Sequence, residues 1–68
     1  MADLPTAAVI RIAKANGAER VGSDAAEILV KKAELYIGEL TKEANRLAAH
    51  AGRKTIKAEN VEIAAENQ

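Results

Sequence analysis

The sequence predicts an all-α protein made of a short helix, a long helix and a second short helix. Apolar residues recur every three or four positions, which is the period of an α-helix. The pattern is interrupted at Asn16-Gly17 and again at Gly52. The chain has 68 residues and no cysteine, so we expect residues 1–68 to form a single domain without disulfides.

The first helix is predicted to begin at Pro5, because proline suits a first helical turn, where its missing N–H is not needed. Apolar residues then follow at helical spacing until Asn16 and Gly17 end the helix. Residues 18–22 are too few for an element of their own and are predicted to form an extended connection. Ser23 and Asp24 can cap the next helix.

The second helix is predicted from about Asp24 to His50, with no proline and with Gly38 as a weak point. An apolar stripe runs along it. About 27 residues make a helix of ~40 Å, whereas a 68-residue globule has a diameter of roughly 28 Å. Two short helices cannot cover such a stripe, so we expect a second chain to cover the rest.

Gly52 is predicted to end the long helix, and a short third helix follows from about Ala58. The sequence has 33 hydrophobic residues, but 16 of them are alanine, so few large apolar side chains are available to form a core. A core of so few large side chains again indicates an oligomer.

The net charge is zero, but it is unevenly spread. Residues 51–57 carry three basic side chains and no acidic one, whereas residues 58–68 carry three glutamates. Basic connections of this kind suit a polyanion backbone, although short basic runs in loops are often only solvated. Tyr36 is the one aromatic residue, which excludes recognition of single strands by base stacking.

Three segments together resemble the archaeal histones, and the resemblance spans the whole chain. They are Leu4-Pro5, Ala15–Val21 and the run His50–Glu59. The resemblance implies the histone fold, in which two chains form an obligate head-to-tail dimer and the first connection of one chain pairs with the second of the other. It also implies a function, the wrapping and compaction of double-stranded DNA by stacked dimers without base-specific readout.

The resemblance assigns DNA contacts to six residues. Arg20 would enter the minor groove, supported by Thr55 from the partner chain, although a merely solvated arginine is the alternative for Arg20. The remaining four would hold phosphates: Arg11, Lys14, Lys54 and Lys57.

The resemblance also assigns residues to assembly. Leu47, His50 and Asn60 would form the contact between dimers, and Arg53 would stabilise the second connection. In the family an acid stands at the position of Asn60 and pairs with this arginine, so its absence leaves the connection looser or Arg53 free for phosphate. Gly17 would allow successive dimers to stack closely, or serve only as a helix C-cap.

The competing hypothesis is a histone-fold module that pairs with a different chain in a transcription or chromatin complex and contacts DNA weakly. An enzyme is not expected, because the sequence offers no cysteine nucleophile, no apposed pair of carboxylates and no phosphate-binding glycine loop. We expect no metal, cofactor, small-molecule substrate or membrane contact, and a cytoplasmic protein associated with the chromosome in the nucleoid. Pairing with paralogous histones stays open.

Overall fold

The computed structural model describes residues 3–67, and these form three helices and no strand. The helices are α1 (Thr6–Ala15), α2 (Ser23–His50) and α3 (Ala58–Glu66). The predicted all-α order of short, long and short helices is therefore confirmed. The chain divides into two compact units, Met1–Leu35 and Tyr36–Gln68, so the first part of α2 belongs to one unit and the second part to the other.

The helix starts differ slightly from the prediction. Pro5 is extended, with φ −68° and ψ 127°, and occupies the N-cap position, so α1 begins one residue later, at Thr6. The long helix begins at Ser23, where the carbonyl of Gly22 accepts the N–H of Ala26 at 2.9 Å. Ser23 is thus the first helical residue and not a cap, because the preceding backbone already closes the first helical hydrogen bond.

Both interior helix ends use the same hydrogen-bond pattern. After α1, Ala18 N–H donates to Ala13 at 3.2 Å and Gly17 N–H to Lys14 at 3.1 Å. After α2, Arg53 N–H donates to Ala48 and Gly52 N–H to Ala49, both at 2.9 Å. These paired bonds define a Schellman motif, which needs positive φ at its glycine.

Gly17 and Gly52 supply that conformation, with φ of 108° and 75°. The breaks predicted at these two glycines are therefore confirmed.

Small side chains dominate the buried residues of each unit. In the first unit Ala26 and Val30 are buried, and in the second unit Ala44, Ala48 and Ala64 are buried together with the amide of Asn60. Many larger apolar side chains are exposed, namely Ile12, Ile28, Leu29, Leu35, Tyr36, Ile37, Val61 and Ile63. The packing within the described chain thus leaves half of its sixteen large apolar side chains exposed.

None of the described helices is both long enough and apolar enough to cross a membrane.

Candidate nucleic-acid interface

The first helix presents two of the predicted DNA-contacting cations. Arg11 and Lys14 are both exposed, and a spacing of three residues places them on the same face of α1. Lys14 lies in the last turn, where a positive charge also compensates the negative end of the helix dipole. The two cations can therefore meet neighbouring phosphates of one backbone.

The connection after α1 leaves Arg20 in solvent. Ala18 and Val21 on either side of it are half-buried, and Arg20 itself is exposed. Because the flanking residues hold the backbone, the arginine side chain projects from a fixed position and not from a free loop. A guanidinium presented in this way can enter a groove or bind phosphate.

The second connection repeats this arrangement. Ile56 is half-buried, whereas Lys54, Thr55 and Lys57 are exposed. In each connection a half-buried β-branched residue directly follows an exposed polar one, Arg20 before Val21 and Thr55 before Ile56. The chain therefore carries two polar, solvent-facing connections of similar construction, one in each unit.

Arg53 finds a carboxylate that was not predicted from the sequence. Its Nη1 atom lies 3.0 Å from Oε1 of Glu59, in the first turn of α3, and both side chains are substantially exposed. The absence of an acid at position 60 therefore does not leave Arg53 unpaired. A salt bridge now joins the second connection to the helix that follows it.

Asn60 has a different role in the described chain. It is buried, with 6% of its surface exposed, and its Oδ1 accepts the N–H of Lys57 at 2.9 Å. Lys57 is the N-cap of α3, and a side chain at the third helical position that reaches back to the N-cap N–H is half of a capping box. Asn60 thereby fixes the start of α3.

Three of the ten cations among residues 3–67 form ion pairs, and the other seven include Lys31 and Lys32 of α2, which are not assigned to DNA. The pairs within residues 3–67 are Lys42–Glu39, Arg46–Glu43 and Arg53–Glu59. The five cations assigned to DNA take part in none of these pairs: Arg11, Lys14, Arg20, Lys54 and Lys57. Their charges are thus not neutralised by a neighbouring carboxylate of the described chain.

The Arg46–Glu43 pair is the tightest of the three. Arg46 donates from Nε at 2.8 Å and from Nη2 at 2.6 Å to the two carboxylate oxygens of Glu43. These hydrogen bonds lower the pKa of Glu43 and raise the pKa of Arg46. The side chain of Asn67, at the C-cap of α3, makes a smaller contribution that also lowers the pKa of Glu43.

The residues assigned to contacts between dimers all belong to the second unit but differ in exposure. Leu47 is half-buried, His50 is exposed at the last position of α2, and Asn60 is buried.

Among residues 3–67 no group of three or more His, Cys, Asp or Glu side chains is placed so that it could hold a metal ion.

A chain of this helix order, with exposed basic connections and exposed apolar helix faces, has the features of a histone-fold, DNA-binding protein. The family model described as histone-like transcription factor (CBF/NF-Y) and archaeal histone matches residues 2–65. The chain is 50% identical over 64 residues to one of the subunits of archaeal histone HAN1 from Thermococcus zilligii, covering 94% of this chain and 96% of that protein. It is 41% identical over 64 residues to probable archaeal histone 3 of Methanocaldococcus jannaschii, with the same coverage.

The chain therefore belongs to this family and, within it, to the archaeal histones. The histone fold expected from the three sequence segments is confirmed, and so is the role of a DNA-packaging chromatin protein. The family is a structural, DNA-binding one and not an enzyme family, and its members are associated with the chromosome. The competing hypothesis of a heterodimerisation module is not favoured.

Several contacts were not predicted from the sequence, among them the hydrogen bond from the N–H of Lys57 to Asn60. Glu59 as the partner of Arg53 could have been sought among the acids of the first turn of α3. Glu34, which accepts the backbone N–H groups of Asp3 and Leu4, gave no signal, because the partners are about thirty positions apart along the chain.

Proposed function

We propose that two copies of this chain pair head to tail and that stacked dimers wrap and compact double-stranded DNA without base-specific contacts. The observation that carries the proposal is that all six side chains assigned to DNA are exposed: Arg11, Lys14, Arg20, Lys54, Thr55 and Lys57. Because the five cations among them form no ion pair within residues 3–67, no internal pair has to break when phosphate replaces water around them.

The exposed apolar side chains support the dimer. Tyr36 is 50% exposed and its neighbours Leu35 and Ile37 are 61% and 51% exposed, all at the middle of α2. Fully burying one such side chain is worth roughly 1.5 to 3 kcal/mol, which the buried alanines cannot match. A second copy offers the same apolar faces in return, and in the dimer residues 1–68 then act as one histone-fold domain.

In this dimer the first connection of one chain lies beside the second connection of the other. Arg20 is then the minor-groove arginine, and Thr55 of the partner chain supports it. Phosphates are held by Arg11 and Lys14 on α1 and by Lys54 and Lys57 around the second connection. Selectivity among sequences comes only from how easily the duplex bends.

Assembly beyond the dimer uses the second unit and the first connection. Leu47, His50 and Asn60 belong to the contact between dimers, and the Arg53–Glu59 pair stabilises the connection that leads into it. Gly17 has open space around its α-carbon, with nothing within 4 Å of an added Cβ, which suits close stacking of successive dimers. Such assemblies are located on the chromosome, in the nucleoid.

Micrococcal nuclease digestion of mixed-sequence duplex DNA reconstituted with the purified protein tests the proposal. The wild type is expected to protect fragments whose lengths increase in even steps, one step per added dimer. Arg20→Ala is expected to weaken or remove this ladder, because it deletes the groove contact. Lys42→Ala is the matched control, since it removes an exposed cation that already faces Glu39 at 3.8 Å.

The proposal fails if the wild type protects no fragment even at low salt while sedimentation shows a folded dimer. A ladder that appears only after a second histone chain is added would replace the homodimer by a pair of different chains. An equal loss in Arg20→Ala and Lys42→Ala would assign the effect to net charge and remove the special role of Arg20.

A further inference from the structure

Glu34 makes the longest-range hydrogen bonds between a side chain and the backbone in the described chain. Its Oε2 atom accepts the N–H of Leu4 at 2.9 Å and also the N–H of Asp3. The carboxylate lies on α2 and is half-buried, and both donors belong to the segment that leads into α1. One side chain thus ties the entrance of the first helix to the long helix.

The entrance of α1 has few other means of being held. Pro5 contributes no N–H, the N-cap position has no side-chain hydrogen bond, and no acidic residue lies in the first turn. Thr6 lines a shallow groove with Glu27, Val30 and Lys31, so this end of α1 lies against α2. Hydrogen bonds to a charged acceptor are roughly twice as strong as neutral ones, which makes Glu34 the strongest polar link at this end.

The other end of α1 is fixed separately. There the Schellman motif at Gly17 closes the helix and leads into the half-buried Ala18. Both ends of α1 are therefore held, the exit by this turn and the entrance by Glu34, and this restrains the orientation of α1 on α2. Arg11 and Lys14, which lie between these two ends, inherit that orientation.

We propose that Glu34 is a positioning residue for DNA binding: by holding the backbone of Asp3 and Leu4, it keeps α1 in the orientation in which Arg11 and Lys14 contact phosphates. The inference rests on the proposed DNA-wrapping function and adds to it an acidic residue that binds no DNA itself. The expected change in affinity on removing Glu34 is opposite in sign to the one that simple electrostatics predicts. Removing a negative charge from a DNA-binding protein should by itself tighten DNA binding.

The test compares Glu34→Ala with Glu27→Ala by fluorescence anisotropy on a short duplex over a range of salt concentrations. Glu27 is an exposed glutamate of the same part of α2 and lines the groove beside Thr6, but it makes no hydrogen bond or ion pair within residues 3–67. Glu27→Ala therefore controls both for the lost charge and for a lost side chain next to α1, without breaking the link to Asp3 and Leu4. Both variants lose one negative charge. Glu27→Ala is expected to bind as tightly as the wild type or more tightly, whereas Glu34→Ala should bind about three- to tenfold more weakly.

The salt dependence separates lost contacts from a general weakening. Each phosphate contact contributes about 0.9 to the slope of log K against log salt. Loss of the Arg11 and Lys14 contacts in Glu34→Ala should therefore reduce the slope by up to about two units per chain. Glu34→Gln keeps an acceptor oxygen without the charge and should recover binding to within about twofold of the wild type.

Amide exchange measured by nuclear magnetic resonance reports the link directly. The Asp3 and Leu4 amides should exchange faster in Glu34→Ala than in Glu27→Ala, with the amides in the middle of α2 unchanged. If Glu34→Ala does not form a folded dimer, Glu34→Asp, whose carboxylate is one methylene shorter, takes its place. It must show faster exchange of these two amides together with binding more than about twofold weaker than that of the wild type, and otherwise the inference is overturned.

Two results would overturn the inference and are distinguishable. If the wild type binds DNA and Glu34→Ala binds equally well or more tightly, only the positioning role is wrong. If the wild type itself does not bind DNA, the proposed function is wrong and the positioning role falls with it.

Discussion

Replacing Asn60 by alanine removes the side chain that fixes the start of α3, and its cost can be worked out from the structure. The Oδ1 atom of Asn60 accepts the N–H of Lys57 at 2.9 Å in a partly buried position. Without it, this N–H loses its partner at a place where water replaces it poorly. Loss of a capping hydrogen bond costs about 1 kcal/mol, within a range of roughly 0.5 to 2 kcal/mol.

Burial adds to this cost. Asn60 is 6% exposed, so truncation to alanine also leaves unfilled space beneath α3. We therefore expect Asn60→Ala to lower the free energy of unfolding by about 1 to 2 kcal/mol per chain. For a chain of this size that corresponds to a fall in the melting temperature of roughly 5 to 15 °C.

Urea unfolding followed by circular dichroism measures this effect. The protein concentration must be the same for every variant, because the stability of a dimer depends on it. Asn45→Ala is the matched control, since Asn45 is exposed within α2 and alanine has the higher helix propensity. This control is expected to unfold at the same urea concentration as the wild type or at a higher one.

Asn60→Asp tests whether the stability depends on the hydrogen-bond acceptor at position 60 or on the whole amide group. Aspartate keeps an oxygen for the N–H of Lys57 and adds a negative charge in the first turn of α3, where the helix dipole favours it. We expect it to restore most of the stability lost in Asn60→Ala. The capping explanation is refuted if Asn60→Ala is as stable as the wild type, or if Asn60→Asp is as unstable as Asn60→Ala.

Two further predictions concern helix ends and a salt bridge. Gly17→Ala and Gly52→Ala should each lower the free energy of unfolding by about 1 to 2 kcal/mol, because alanine must adopt positive φ there. Gly38 lies within the helix α2, so Gly38→Ala should instead raise the free energy of unfolding by up to about 1 kcal/mol. Thermal denaturation of the three variants tests this, and equal effects at all three glycines would contradict it. The hydrogen bonds from the Arg46 guanidinium lower the pKa of Glu43 below its ordinary value of 4.5. The pair therefore stabilises the fold fully above pH 4.5, and this stabilisation is lost as the pH falls through the lowered pKa. Glu43→Gln should therefore melt slightly below the wild type at neutral pH and together with it in strong acid, and a gap that persists in acid would refute the assignment.

The assembly predicted from the sequence gains a structural constraint at Asn60. Its oxygen accepts one hydrogen bond from Lys57, so a contact between dimers through this residue has the amide N–H groups and only the second lone pair of the oxygen available. Comparing tetramer formation of the wild type and Asn60→Asp by sedimentation tests whether the missing acid weakens the contact with His50. Equal affinities would discard that hypothesis.

The sequence by itself determined the order of the helices and their ends at Gly17 and Gly52. These features are local, since helix periodicity and a Schellman turn depend on residues no more than about five positions apart. The three family segments extended this to the histone fold. Resemblance, and not composition, was needed to distinguish a DNA-binding role for Arg20 from that of a solvated loop residue.

Only the tertiary structure decided which groups meet across longer separations. Glu34 of α2 holds the backbone of Asp3 and Leu4, about thirty positions away along the chain. No periodic pattern encodes such choices, because they depend on the distances and directions that packing sets between helices. The same packing decides that Ala26 and Val30 are buried while Leu29, on the same helix, stays exposed.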